Sequence, residues 1–204
     1  SSDFETSYNQ FEKAIQISTL TFRIDTQIYY YASLAAMKSK KFEEAISLND
    51  FLIGANYGID NKEKVSVYVN QSMALKETGD TAKMLKVLED GIAKFPNDSY
   101  PLVIEMFNYY VASGNTEKAR EYINMAMQND PNNAQFLVIR GTLAQEMKDN
   151  KAAEADFNKA LEIAPDNYDA IYGLGALYIN TAADTLEWAE KNLPPTDFTA
   201  FDKY

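Results

Sequence analysis

The chain has no cysteine and no histidine among its 204 residues. The first absence excludes disulfides, thiolate zinc sites and a cysteine nucleophile. It leaves the compartment open, because cytosolic and secreted proteins both occur without cysteine. The second removes the commonest general base and the commonest metal ligand. Positive charge is scarce as well: 19 Lys and Arg stand against 30 Asp and Glu, for a net charge of −11. That balance favours solubility and opposes nucleic acid or an anionic membrane as partner. Nowhere do about 18 apolar residues run together, so no segment reads as a membrane-spanning helix. No signal peptide and no low-complexity stretch is visible. The Ser1-Ser2 start reads as a processed or trimmed end. With 46% hydrophobic and 24% charged residues, what remains has the composition of a folded protein.

What the chain does have is a period. The segment "NKALEIAPDN" at 158–167 ends an amphipathic helix at Pro165, which cannot continue it, and passes into turn formers. Pro96, Pro131 and Pro165 are separated by 35 and 34 residues, within "KFPNDS", "NDPNNA" and "IAPDNY". Eight places before each proline stands a bulky apolar residue: Leu88, Ile123 or Phe157. Five places before stands a small one: Gly91, Ala126 or Ala160. Between the helices of these units, Gly79 and Gly114 suit left-handed C-caps. Asp80 or Thr81, and Asn115 or Thr116, then cap the second helix. In "KDNK" the glycine is missing, and Asn150 is expected to take its left-handed role.

These units resemble tetratricopeptide repeats over residues 3–180. With Ala134 as first residue, Gly141, Ala144, Ala153, Phe157, Ala160 and Pro165 fall on the family's pattern of small, aromatic and proline positions. The resemblance implies an all-α fold, a right-handed α-solenoid of stacked antiparallel helix pairs. The expected division starts with 3–25, the second helix of a truncated repeat ("NQFEKAIQIS") and a linker. Next come 26–64 with a long exit loop ("GANYGIDNKE"), then 65–99, 100–133 and 134–167. Residues 168–204 complete it as a partial repeat with an extended first helix and the start of a following one. In that last part Ile171, Leu174, Tyr178, Ala182, Leu186, Ala189 and Leu193 predict a single apolar stripe along a helix of about 25 residues. Thr196 would cap a further helix bearing Phe198, Phe201 and Tyr204, so the chain reads as an excerpt of a longer protein. The extended helix also resembles cell-envelope tetratricopeptide proteins of Bacteroidetes, which tilts the expected location to the periplasm or cell envelope over the cytoplasm.

In such an array the resemblance places first-helix side chains along a concave groove. They are Tyr30, Tyr31, Leu34 and Met37, then Val69, Asn70 and Met73, with Lys38, Lys76 and Glu77 at neighbouring groove places. Further along come Ile104, Glu105 and Asn108, then Val138, Ile139 and Thr142, and finally Tyr172. Family members that grip the C-terminal carboxylate of chaperones use two Lys, one Arg and two Asn at fixed groove places. Here those places hold Tyr30, Leu34, Asn70, Pro101 and Glu105, without a cation, so that activity is not expected.

The expected function is therefore a noncatalytic scaffold that binds a peptide or helix of a protein partner in an apolar, aromatic groove. Tyr30, Tyr31 and Tyr172 would be anchors and Met37 and Met73 adaptable contacts, with acids selecting against acidic partners. An alternative for the tyrosine pair is packing between adjacent hairpins. Self-association into a homo-oligomer through the terminal repeats, as a module of a larger envelope protein, is a second class. Helical-repeat RNA binding is a third, opposed by the charge. No cofactor or metal motif appears: "DPNN" and "APDNYD" lack the glycine and terminal glutamate of a calcium loop. Glu43-Glu44 and Glu187 with Glu190 read as solvated helix charges, and Trp188 as packing against the segment that follows.

Overall fold

The computed structural model describes residues 2–20 and 25–192; Leu193, the Pro194-Pro195 pair, Thr196, Phe198, Phe201 and Tyr204 lie outside the described residues. Ten helices and no strands occur among the described residues. They are α1 (Ser2–Leu20), α2 (Thr26–Lys38), α3 (Phe42–Gly54), α4 (Asn61–Thr78), α5 (Thr81–Lys94), α6 (Tyr100–Ala112), α7 (Thr116–Asn129), α8 (Ala134–Glu146), α9 (Asn150–Ile163) and α10 (Tyr168–Asn192).

Short polar residues start these helices. The carboxylates of Asp60, Asp80 and Asp149 accept from the backbone N–H groups of Glu63, Lys83 and Ala152. The Asn133 side chain accepts from two, Gln135 and Phe136. Each satisfies donors that a helix N-terminus leaves without an internal partner. At α4 the Glu63 carboxylate also accepts from the Ile59 N–H at 2.8 Å, closing a reciprocal cap. Gly79 and Gly114 take the left-handed conformation expected of them, with φ of 81° and 71°. The α8–α9 hairpin departs from expectation. Lys148 is left-handed there, with φ 59°, and Lys40 does the same between α2 and α3. Asn150 is instead the first residue of α9, because Asp149 already supplies the cap.

The chain forms two compact units, Ser1–Ala112 and Ser113–Tyr204, with the boundary between α6 and α7. In the first, consecutive helices α1 to α6 pack in order, and the first helices also touch across repeats, α2 with α4 and α4 with α6. The second helices α1, α3 and α5 show no such backbone approach. The second unit repeats the arrangement, with α7 to α10 packed in order and α8 against α10.

Close approach in the second unit depends on one ring between two glycines. Phe157 on α9 is fully buried. A Cβ on Gly141 of α8 would lie 2.9 Å from it, and a Cβ on Gly173 of α10 only 2.6 Å. The buried face of α10 is Ala170, Gly173 and Leu177. That corrects the expected stripe: Ile171, Tyr178 and Leu186 lie on the exposed side. A one-residue shift rotates a helix face by about 100°, and the glycine that lets the ring in is Gly173, while Gly175 faces open space. Arg140 adds a polar tie. Its guanidinium donates to both Asp156 oxygens, with Nε at 2.8 Å and Nη2 at 2.5 Å, and to Asn124 Oδ1 at 3.1 Å, joining α7, α8 and α9. The Asp156 hydrogen bond raises the Arg140 pKa further, so the guanidinium keeps its charge.

Urea unfolding should rank the contacts. Phe157→Ala is expected to cost about 3–5 kcal/mol and Gly173→Ala about 1–3 kcal/mol, whereas Gly175→Ala is neutral or stabilising. Arg140→Ala, which strands the buried Asp156 carboxylate, is expected to cost about 2–3 kcal/mol, below a fully buried pair because Arg140 still meets water.

Candidate protein-binding cleft

Three first helices of the first unit converge where α2 and α4 end. Met37 and Lys38 close α2, Lys40 sits in the left-handed turn, and Phe42 opens α3. Met73, Lys76 and Glu77 come from the last turns of α4, and Glu105 and Asn108 from the middle of α6. Together these nine residues line a cleft of about 500 Å³. Met73 is 45% exposed. Met37 and Phe42 are half-buried beside it, so the floor is apolar and adaptable.

The rim is electrically mixed. Lys38, Lys40 and Lys76 form no ion pair among the described residues. Glu77 and Glu105 share the lining with them. The cleft thus carries a small excess of positive charge on a chain that is acidic as a whole.

Of the residues expected along the groove, Met37, Met73, Glu105 and Asn108 meet in this cleft. Leu34, Val69, Asn70 and Ile104 are half-buried on the same helices but outside its lining. The tyrosine pair is engaged elsewhere. Tyr30 stacks on Tyr57 of the long exit loop, with ring centroids 5.1 Å apart. Tyr31 stacks on Phe11 of α1 at 6.2 Å and meets Tyr30 edge-on at 5.8 Å. The first contact lies within one repeat and the second joins adjacent hairpins, while Tyr31 stays 46% exposed. In the second unit Val138 is 5% exposed and belongs to the core with Phe157 and Leu177. Ile139 is half-buried, and the exposed Thr142 donates its hydroxyl to the Val138 carbonyl. Tyr172 is 79% exposed on α10.

Lys40 and Phe42 are lining residues that the repeat register does not indicate, because it assigns the groove to first helices and these belong to the turn and the second helix. The signal available was "KSKKF", a turn without glycine between two helices, which forces a lysine into the left-handed conformation.

Stacked antiparallel helix pairs with a cleft across their first helices define the class, an all-α helical-repeat fold. Residues 134–167 match the model of the family described as tetratricopeptide repeat. It is 31% identical over 110 residues to cellulose synthase operon protein C of Pseudomonas fluorescens (strain SBW25), a match covering 54% of this chain and 8% of that protein. The chain therefore spans a small fraction of that relative. In structure it is similar to a tetratricopeptide repeat protein from Parabacteroides merdae ATCC 43184, with TM-score 0.63 and 18% identity over 74% of this chain and 58% of that one. It is also similar to YrrB, described as a TPR protein with an unusual peptide-binding site. That match has TM-score 0.58 and 17% identity, over 85% of this chain and 84% of that one. MamA AMB-1 gives TM-score 0.58 and 16% identity over 83% and 86%. At these identities the likeness concerns the fold alone.

The Tyr57 phenol is pushed above its ordinary value of 10.0 by burial first, then by Glu63 and the neighbouring Tyr30 and Tyr31. Below the ordinary tyrosine value both folded and unfolded chains keep the proton, so the stacked loop keeps its full stability. As pH rises from there through the raised folded value, that stability is lost. Tyrosinate absorbance should therefore show one ionisation fewer in Tyr57→Phe at the alkaline end, with less loss of melting temperature above about pH 10.

Proposed function

We propose that the chain is a noncatalytic scaffold that binds a segment of another protein, and that the cleft of α2, α4 and α6 is its docking site. The observation that carries this reading is the convergence of exposed Met73 with Met37, Phe42, Glu105 and Asn108 at the ends of packed first helices. An apolar side chain of the partner would enter between the two methionines and Phe42, where burying it is favourable and the flexible thioethers adapt to its shape. The mixed rim would then set orientation, Lys38, Lys40 and Lys76 taking acidic groups and Glu77 and Glu105 basic ones. YrrB, with its peptide-binding site, supports the reading through the shared fold. Tyr30 and Tyr31 serve this site indirectly, by holding the exit loop and α1 against α2.

Crosslinking pull-down from native cells tests the site. Met37→Ala with Met73→Ala is expected to lose the captured partner, a weakening of about thirtyfold, while helicity is kept. Tyr30→Ala is expected instead to lower stability by about 1–3 kcal/mol. Undiminished capture by the methionine double variant would refute the cleft.

Self-association is the second reading, and the observation favouring it is α10. Tyr168, Tyr172, Ile179 and Leu186 are all exposed along one side of this helix, at spacings suited to packing against another helix. Light scattering of the chain and of Tyr172→Glu with Ile179→Glu decides it: a mass that falls to one copy in the variant supports association, and an unchanged single-copy mass in both excludes it.

A further inference from the structure

The second helices of the first unit offer a separate surface of opposite charge. Both α1 and α3 pack against α2, yet they do not approach each other, and a cleft of about 330 Å³ lies between them. That is the lower end of the range for ligand pockets, about 300–1,000 Å³. Its α1 wall presents Tyr8, Glu12 and Ile15, at i, i+4 and i+7 on one helix face. Its α3 wall presents Glu44 and Leu48, again one turn apart. Tyr8 is buried while Ile15 and Leu48 are half-buried, which makes an apolar floor. Glu12 and Glu44 are exposed at the rim and form no ion pair among the described residues.

Both glutamates line this one cleft. The Tyr8 hydroxyl is raised above its ordinary value by burial first, then by Glu12 and by Glu44, from opposite walls. The surrounding charge has the same sign: α3 carries Glu43, Glu44 and Asp50 without any Lys or Arg, and α1 carries Asp3, Glu5 and Glu12 against Lys13. A neighbouring cation, Lys41, stands 4.6 Å from the centre of the Tyr8 ring and outside the lining. The ring thus already accepts one cation on its face, while the carboxylates at the mouth stay unneutralised.

We infer that the α1–α3 cleft is a second docking site, for a protein segment that carries an arginine or lysine beside an apolar side chain. The long alkyl stem of such a residue lies along Tyr8, Ile15 and Leu48, and its charged head reaches out between Glu12 and Glu44. Two charge-assisted hydrogen bonds from walls on different helices then fix it, and an acidic segment is repelled from the same place. This site shares no lining residue with the methionine cleft and carries the opposite charge, and it does not depend on that reading.

Fluorescence anisotropy with a labelled peptide of alternating arginine and leucine tests it, with the glutamate–leucine counterpart as second probe. The arginine peptide is expected to bind saturably and the glutamate peptide not at all. Glu12→Gln with Glu44→Gln should weaken the arginine peptide about tenfold or more, with circular dichroism unchanged. Glu89→Gln with Glu117→Gln removes the same charge from exposed positions elsewhere and should leave binding nearly unaltered. Equal weakening by the two pairs would mean diffuse attraction to an acidic chain and would overturn the site. So would failure of the arginine peptide to bind, or equal binding of both peptides. Loss of binding in Met37→Ala with Met73→Ala would place the peptide in the other cleft, overturning this proposal while leaving that cleft a binding site.

Discussion

The structure depends on a large side chain being admitted where a neighbouring helix has almost none. Phe157 is driven between α8 and α10 because Gly141 and Gly173 leave room that a single Cβ would fill. The first unit solves the same problem with Gly91, whose Cβ would meet Leu102 at 2.6 Å and Tyr68 at 2.9 Å. Elsewhere alanines suffice: Ala36 and Ala45 are fully buried where α2 meets α3. A helical hairpin cannot bury its own apolar face, so each depends on the next, and the approach distance decides how well that face is covered.

Once first helices touch across repeats, their outward side chains are brought together whether or not they lie near one another in sequence. Met37, Met73 and Glu105 share a cleft for that reason. The second helices do not touch, so gaps open between them, and the one between α1 and α3 is floored by the aromatic and aliphatic parts of residues whose neighbours are acidic. One packing rule thus yields two kinds of surface: a methionine-floored cleft with lysines on its rim, and an acidic one between α1 and α3.

Much of the local structure was legible because its causes are local. Left-handed Gly79 and Gly114, and the caps at Asp80 and Asn115, follow from which residues tolerate positive φ and which can reach an N–H two or three places on. Lys148 was not legible: a lysine in that conformation is unfavourable alone, and is tolerated because Asp149 caps the following helix and the hairpin around it packs. The buried face of α10 was misplaced by one position for a related reason. Apolar side chains lie on both sides of that helix, and periodicity cannot say which side Phe157 approaches. Val138 and the tyrosine pair carry the same lesson. Their register marks the first helix, but what each side chain meets depends on what stands across from it: the core around Phe157 for Val138, Tyr57 for Tyr30 and Phe11 for Tyr31.

The amino-acid order by itself determined the repeat, the helix starts and stops, and the small and large residues that let helices pair. All of these rest on interactions within a few turns or on a spacing that recurs. Only the tertiary structure decided that Met37, Met73 and Phe42 share a cleft with Lys40 in its wall, and that Glu12 faces Glu44 across another. Those juxtapositions depend on the distance and rotation between packed helices, and a shift of one residue about a helix axis turns a lining side chain into a buried one.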